Sequence, residues 1–242
     1  ALKGSGAYRR ADGLWVYGRR DARALFEDLA ACAHRHGDPG VLFIDRINQE
    51  NNLAYLETIA ATNPCGEQPL PPYGCCCLGS FDLTRFVDSP FSAEARFDFG
   101  ALRALIPAAV RMLDNVLDLT LWPLPGQEAE ARAKRRIGLG FTGLGDALIL
   151  LGLPYDSAAA RETAAAIARE LRDSAYGASV DLARERGAFP LFDPERYGRS
   201  PYIQRLPEGL QAGIRTHGIR NSHLLSIAPT GTISLAFADN VS

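Results

Sequence analysis

The sequence predicts an α/β fold, because short apolar runs typical of buried strands alternate along it with long segments of helical period. Residues 41–44 and 223–228 are two such runs, and apolar residues between Leu102 and Leu117 recur with a helical period. Alternation of this kind favours a sheet covered by helices. The chain has no internal repeat and no clear linker, so we expect one domain or part of one.

The N-terminal half is predicted to be mostly strands and loops with a single helix. The expected elements are, in order, a short strand at 14–17, a helix at 20–36, a strand at 41–44, an extended loop at 51–70 and a buried strand at 74–83. The helix stops where Gly37 and Pro39 interrupt its apolar spacing. The loop lacks helical period and contains Pro64 and Pro69.

The C-terminal half is predicted to be mainly helical. The expected elements are a helix at 102–117, a polar surface connection with a short helix at 123–136, a helix at 142–151, a long helix at 157–186 and a strand at 223–228. Ser157 is a suitable N-cap for the long helix, and Gly187 is a suitable residue to end it.

Composition excludes several classes of protein. The 242 residues are 47% hydrophobic and carry a net charge of −2, which gives no electrostatic reason to expect nucleic acid or an anionic membrane as a partner. No apolar run reaches the ~18 residues of a membrane span. The first residues contain neither an initiator Met nor an apolar signal core, so we expect the interior of a longer protein.

The five cysteines favour a reducing compartment, and therefore a cytoplasmic location. Cys32 and Cys65 stand alone, and Cys75, Cys76 and Cys77 are adjacent, which is a poor framework for disulfides. Only four histidines are present, and none lies near the cysteine cluster. We therefore expect no metal site.

The run Asn63-Pro64-Cys65-Gly66-Glu67 is the strongest candidate for chemistry. In an extended backbone, side chains alternate, so Asn63, Cys65 and Glu67 would share one face. An amide that holds a hydroxyl, a thiol and a proton-accepting carboxylate could act together on a diol. Two alternatives stay open. One is a loop in which Asn63 caps a turn, Cys65 is buried and Glu67 is solvated; the other is a thiol protease, for which no His is nearby in sequence.

Residues 61–70 closely resemble the active-site loop of ribonucleotide reductases, most closely that of the adenosylcobalamin-dependent class. Further segments resemble the family in the same order, at residues 37–48, 79–83, 135–140 and 228–234. The resemblance implies the ten-stranded β/α barrel of this family, with residues 1–242 as a partial catalytic barrel domain that is truncated at both ends.

The resemblance also implies roles for the motif residues. Cys65 would become a thiyl radical and take the 3′ hydrogen of the ribose, Glu67 would accept the proton of the 3′ hydroxyl, and Asn63 would hold the ribose hydroxyls. Cys76 matches the second cysteine of the family's reducing pair, whose partner lies upstream of this chain. We therefore expect the chain alone to be inactive, with Cys75 and Cys77 acting as buried apolar residues.

A second motif, Pro229-Thr230-Gly231-Thr232 followed by Ile233, comes directly after an apolar run. A glycine and two hydroxyls in such a turn can present backbone N–H groups and side-chain donors to a phosphate, although simple turns often look the same. The resemblance implies that this loop binds the phosphates of the substrate.

A third pattern, Gly138-x-Gly140-x-x-Gly143, fits the fingerprint of dinucleotide-binding sites. That fingerprint requires a preceding strand, whereas residues 131–136 are charged and predict the end of a helix. We interpret these glycines as positions of close helix packing.

The sequence thus predicts a ribonucleoside-diphosphate reductase that uses adenosylcobalamin and forms deoxyribonucleotides for DNA synthesis. Expected partners are the ribonucleotide, a thioredoxin- or glutaredoxin-type reductant and a second copy in a homodimer. Three alternatives remain: a class I large subunit that depends on a metal-cofactor subunit, a nicotinamide-dependent oxidoreductase, and a non-catalytic structural domain.

Overall fold

A computed structural model describes residues 7–238 and residue 240. The chain divides into two compact units, residues 1–43 and 44–242, which are treated separately.

The first unit contains a two-stranded hairpin and one helix. Strand β1 (Tyr8–Arg9) pairs antiparallel with β2 (Trp15–Val16), and helix α1 spans Ala22–His36. The Asp21 side chain caps α1 by accepting a hydrogen bond from the backbone N–H of Ala24. Gly37 ends it in the left-handed conformation at φ 75°. The predicted strand at 14–17 and helix at 20–36 are therefore confirmed.

The strand predicted at 41–44 is wrong. Residues 41–43 form no regular structure, with Phe43 66% exposed, and Ile44 begins helix α2 (Ile44–Gln49). A short apolar run does not by itself distinguish a strand from an irregular segment, because both lack a detectable period.

The second unit holds the remaining elements. After α2 its strands are β3 (Ala61–Thr62), β4 (Pro69–Leu70), β5 (Leu78–Asp82), β6 (Val87–Asp88), β7 (Arg96–Phe97) and β8 (Gly138–Thr142). Its longer helices are α3 (Phe99–Leu119), α4 (Pro125–Lys134), α5 (Leu144–Leu150) and α6 (Ala158–Arg186). They are followed by α7 (Pro194–Gly198), α8 (Pro201–Gln204), α9 (Glu208–His217) and the single turn α10 (Gly231–Ile233), with a π-helical turn at Ser234–Ala238.

Three parallel segments form the sheet that supports the site. Strands β5 and β8 pair in parallel from Leu78 opposite Gly138 to Asp82 opposite Thr142. On the other side of β8, the Leu139 N–H donates to the Leu224 carbonyl at 2.7 Å, and a single bridge joins Leu139 to Leu225. The Ile137 N–H also donates to the His223 carbonyl at 3.0 Å, and the Ser226 N–H to the Leu139 carbonyl at 3.1 Å. The run predicted as a strand at 223–228 therefore lies beside β8 but forms no continuous strand. The parallel arrangement confirms the α/β class.

Helices α3 and α6 pack against each other beside this sheet. The Asp98 side chain caps α3, and the Ser157 side chain caps α6, each through a backbone N–H three residues later. The bounds predicted for α6 are confirmed, since it begins after Ser157 and ends at Gly187. The buried face of α3 consists of Leu102, Ile106, Val110, Leu113, Asp114 and Leu117.

The short helix predicted in the segment 123–136 is confirmed, but the end of the segment is buried and does not lie on the surface. Helix α4 occupies most of it, and the three charged residues at its end, Lys134, Arg135 and Arg136, are only 4–7% exposed. The predicted helix at 142–151 also begins later, because Thr142 ends β8 and α5 starts at Leu144. Within the described residues, no helix is both long and apolar enough to cross a membrane.

Candidate active site

The motif around Cys65 forms the turn of a β-hairpin. Strands β3 and β4 pair antiparallel, the Asn63 N–H donates to the Gln68 carbonyl at 3.1 Å, and the Gly66 N–H donates to the Asn63 carbonyl at 3.0 Å. The Asn63 side-chain oxygen accepts from the Gln68 N–H at 3.0 Å. Gly66 has φ 89°, which favours glycine. The predicted extended run is wrong. The alternative loop is present only in part: Asn63 caps the turn, but Cys65 is exposed and one carboxylate oxygen of Glu67 is buried.

Cys65 is exposed at the tip of this hairpin. Its thiol lines a cavity of about 380 Å³ together with the first half of β5 and the loop from Ala228 to Ile233. The structure therefore brings two sequence motifs, 164 positions apart, to one cavity. The expected thiol and the expected phosphate loop are neighbours.

The loop presents backbone donors to this cavity. The N–H groups of Gly231, Thr232 and Ile233 have no backbone acceptor among the described residues. Thr230 has φ 58°, in the left-handed region, and its hydroxyl is 2.9 Å from the Thr142 hydroxyl and 2.7 Å from the Pro229 carbonyl oxygen. A phosphate at this loop would therefore meet backbone N–H groups and the Thr232 hydroxyl. The hydroxyl of Thr230 is already engaged.

Glu67 lies on the other side of the hairpin. It lines a separate cavity of about 270 Å³ with Asn51, Gln68, Arg136 and His223, among others. Its Oε2 atom is buried and has no hydrogen-bond partner in the described part of the chain. Cys65 and Glu67 therefore do not share a face, contrary to the expectation from an extended backbone, because the turn separates them.

Cys76 is the exposed thiol of the three adjacent cysteines, whereas Cys75 and Cys77 are partly buried. Burial raises the pKa of Cys76, and the nearby Glu67 carboxylate raises it further, while Arg136 acts in the opposite direction. Burial also raises the pKa of Cys77, to about 11, and its thiol donates a hydrogen bond to the Leu113 carbonyl. Among these three thiols, Cys76 therefore lies on the exposed side, within electrostatic reach of Glu67.

A network of buried charged residues lies next to the hairpin, and no pattern in the sequence indicated it. Glu57 pairs with Lys134 and with Arg136, each at 2.6 Å, and its carboxylate is 3% exposed. The Asn51 amide donates to Glu57, and the side-chain oxygen of Asn51 lies 3.1 Å from His223 Nε2. Burial, with Arg136 and Lys134 nearby, holds the pKa of His223 well below its ordinary value. This network links the segment before the hairpin to the starts of both adjacent parallel segments.

The three glycines of the dinucleotide-like pattern belong to β8 and to the residue after it, not to a helix. A Cβ placed on Gly140 would lie 2.0 Å from the Ser226 carbonyl oxygen, and one on Gly138 would lie 2.8 Å from the Ser226 Cβ. The predicted close packing is present, but between strands. No space is left there for a pyrophosphate, so the nicotinamide alternative gains no support.

No group of three or more His, Cys, Asp or Glu side chains in the described ranges is arranged to hold a metal ion.

Comparison with known proteins gives one family. Residues 6–242 match the family model described as ribonucleotide reductase, barrel domain. The chain is 43% identical over 220 residues to a vitamin B12-dependent ribonucleoside-diphosphate reductase of Mycobacterium tuberculosis H37Rv, covering 91% of this chain and 28% of that protein. It is 38% identical over 217 residues to the protein of the same name from Thermoplasma acidophilum, covering 90% of this chain and 26% of that one.

A protein without vitamin B12 in its name is also similar. The ribonucleoside-diphosphate reductase subunit alpha of Synechocystis is 32% identical over 257 residues, covering 95% of this chain and 31% of that subunit. This chain spans about three tenths of the length of the curated relatives that it matches.

Proposed function

Because the chain belongs to the ribonucleotide reductase family and matches its barrel domain over nearly its whole length, we propose that it forms part of the catalytic barrel of a ribonucleoside-diphosphate reductase. The full protein would convert ribonucleotides to 2′-deoxyribonucleotides for DNA synthesis. The three neighbouring parallel segments are compatible with an arc of the ten-stranded barrel.

One observation carries this proposal: Cys65 lines the same cavity as Gly231, Thr232 and Ile233, whose N–H groups have no backbone acceptor in the part of the chain that the structure describes. A nucleotide whose phosphates bind the loop would place its ribose within that cavity. Binding energy from the phosphates then holds the reacting carbon near the thiol, which is how an enzyme gains rate from a remote part of its substrate.

The chemistry follows from residues around the hairpin. A Cys65 thiyl radical takes the hydrogen atom from C3′, which regenerates the Cys65 thiol and leaves a radical on the ribose. Glu67 accepts the proton of the 3′ hydroxyl, and its Oε2 has no other partner in the described residues. This role requires the Glu67 side chain to turn towards the Cys65 side. The Asn63 side-chain oxygen caps the turn, so its amide N–H₂ group is the part that would bind a ribose hydroxyl.

Two electrons are needed to replace the 2′ hydroxyl by hydrogen. Cys76 and a second cysteine elsewhere in the polypeptide would supply them, so that the 2′ hydroxyl leaves as water and the two thiols become a disulfide. The Cys65 thiol would then return its hydrogen atom to C3′, which completes the deoxyribonucleotide and restores the Cys65 radical. A thioredoxin- or glutaredoxin-type protein would then reduce that disulfide. The exposed position of Cys76 permits such an exchange.

Adenosylcobalamin is the cofactor that we propose, since the relatives at 43% and 38% identity are named vitamin B12-dependent. When bound, it would supply the one-electron chemistry that converts the thiol to a thiyl radical. The exposed Cys65 side chain fits this requirement, because a buried thiol would be out of reach. We further propose a cytoplasmic location, for which the five unpaired cysteines are the support, and a homodimer of the full protein.

The test is turnover by the complete polypeptide that carries this chain. It would be incubated with a dithiol and a ribonucleoside diphosphate or triphosphate, with adenosylcobalamin or with a class I metal-cofactor subunit. We expect deoxyribonucleotide only in the adenosylcobalamin arm. Product only with the metal-cofactor subunit would instead support the class I alternative, and no product in any arm would refute the proposed function.

A further inference from the structure

The expected phosphate loop is connected to two strand ends by a chain of side-chain hydrogen bonds. The Thr230 hydroxyl donates to the Thr142 hydroxyl at 2.9 Å, Thr142 donates to the side-chain oxygen of Asn240 at 3.3 Å, and the Asn240 amide donates to Asp82 at 2.7 Å. Thr142 ends β8 and is 4% exposed, and Asp82 ends β5. These hydrogen bonds therefore connect the loop to the ends of two adjacent parallel strands.

Asp82 determines which group donates and which accepts in each of these hydrogen bonds. A carboxylate can only accept hydrogen bonds, so Asn240 must present its N–H₂ group to Asp82 and its oxygen to Thr142. Thr142 then donates its single proton to Asn240, and its oxygen accepts from Thr230, whose one proton is shared with the Pro229 carbonyl oxygen at 2.7 Å. Asp82 itself also accepts from the backbone N–H and hydroxyl of Thr84 and from Arg85, which hold the carboxylate in place.

The conformation of Thr230 explains why the loop needs such an anchor. Its φ of 58° is uncommon for a residue other than glycine and unfavourable for a β-branched one, so surrounding contacts must stabilise it. The Thr230 hydroxyl makes its contact to Thr142 from this conformation. The next three residues, Gly231, Thr232 and Ile233, line the Cys65 cavity, and their N–H groups have no backbone acceptor among the described residues.

Asn240 also packs closely against the end of β8, which independently supports its contact with Thr142. Gly143 follows Thr142 with φ 71°, and a Cβ placed on it would lie 2.8 Å from the Asn240 side-chain nitrogen. A side chain at position 143 would therefore displace Asn240 and break its hydrogen bonds to Thr142 and Asp82.

We propose that Thr142 is a positioning residue for the phosphate-binding loop. Its buried hydroxyl holds Thr230 in the left-handed conformation, and this conformation directs the N–H groups of Gly231, Thr232 and Ile233 towards the phosphates of the nucleotide. Thr142 does not touch the substrate. The inference rests on the proposed function, since it requires the loop to bind phosphate.

The experiment compares Thr142→Val, which keeps the shape but removes the hydroxyl, with Thr142→Ser, which restores it, in the complete polypeptide. We expect Thr142→Val to raise KM for the nucleotide roughly three- to tenfold, the effect of one lost hydrogen bond, with little change in kcat. Thr142→Ser should stay close to the wild type. Thr163→Val, a hydroxyl on the surface of α6 bonded to the Ala159 carbonyl, is the matched control.

Binding of inorganic diphosphate gives a readout that does not depend on turnover. Its Kd should rise in Thr142→Val in parallel with KM, and the thermal midpoint should remain near that of Thr163→Val. If Thr142→Val does not fold, Asn240→Ala interrupts the same chain one step further from the loop and should raise the same Kd.

Thr232→Val, in the loop itself, distinguishes the positioning role of Thr142 from the assignment of the loop as a phosphate site. If it raises KM while Thr142→Val and Asn240→Ala do not, the positioning role is overturned and the phosphate loop stands. If neither Thr232→Val nor Thr142→Val changes KM or diphosphate binding, the phosphate assignment of the proposed function fails as well. A loss of stability in Thr142→Val without a change in KM would also overturn the inference.

Discussion

Gly140 and Ser226 lie so close together that a single added methyl group would not fit between them. A Cβ on Gly140 would lie 2.0 Å from the Ser226 carbonyl oxygen, far inside van der Waals contact. This approach holds β8 against the segment that leads to the loop 229–233. A side chain at position 140 would therefore push apart β8 and the segment that leads to this loop.

Gly140→Ala should destabilise the protein by about 3 kcal/mol, the upper end of the usual cost of overpacking, because backbone rather than a flexible side chain is in the way. Gly145→Ala is the matched control: it lies in α5, nothing lies within 4 Å of its added Cβ, and alanine favours the helix. Chemical denaturation measures both. Equal stability of the two variants would contradict the close packing at Gly140.

Cys65→Ser should abolish nucleotide reduction in the complete polypeptide and leave its thermal midpoint unchanged. The thiol is exposed at a hairpin tip, so its loss removes no packing, whereas a serine O–H bond is too strong to carry the radical. Cys32→Ser, in α1, is the control that should keep full activity. Deoxyribonucleotide formed by Cys65→Ser above the background without enzyme would rule out the radical role.

Thr232→Val should raise the Kd of the nucleotide roughly tenfold, since a hydrogen bond to a charged group is worth about 1.5–3 kcal/mol. The Thr232 hydroxyl makes no hydrogen bond to another described residue, and it lines the same cavity as Cys65. Equilibrium dialysis with labelled nucleotide is the measurement. An unchanged Kd would mean that the hydroxyl does not contact the phosphates.

Asp114→Asn should destabilise the fold by about 3 kcal/mol, because it removes the buried carboxylate that Arg135 and Arg220 share, although Arg135 keeps its pair with Asp118. Asp114 is fully buried and pairs with Arg135 at 2.8 Å and with Arg220 at 3.2 Å. The exposed pair of Arg199 and Glu195 offers the comparison, and Glu195→Gln should leave the denaturation midpoint unchanged. Similar midpoints for both variants would refute a structural role for the buried network.

Cys77 should resist alkylation at pH 8, whereas Cys65 should react readily. With a pKa of about 11, Cys77 is on the order of one part in a thousand thiolate at that pH, and only the thiolate is the nucleophile. Because the pKa is raised, its reaction should accelerate as the pH increases towards 11. Iodoacetamide labelling followed by tandem mass spectrometry reads each cysteine separately. Labelling of Cys77 as fast as Cys65 at pH 8 would contradict its burial.

Local features of the sequence were sufficient to predict the long helices α1, α3 and α6, whereas α2, α7, α8 and α9 were not predicted. The 3.6-residue spacing, the Ser157 cap and the terminal Gly187 gave the bounds of α6, because a helix closes its hydrogen bonds within a few residues and its ends depend on nearby side chains. The motif at Cys65 likewise pointed to the family before any geometry was known, and the family match over residues 6–242 confirms it.

The arrangement of the site depended on contacts between distant residues. The turn at Gly66 placed Glu67 in a different cavity from Cys65. Glu57 pairs with the buried Lys134 and Arg136, which are 77 and 79 positions further along the sequence. Thr142 engaged the Thr230 hydroxyl across 88 positions. The sequence by itself determined the long helices, the α/β class and the motif that identifies the family. Only the tertiary structure decided which side chains meet, because burial and pairing of polar groups require partners that local periodicity does not reveal.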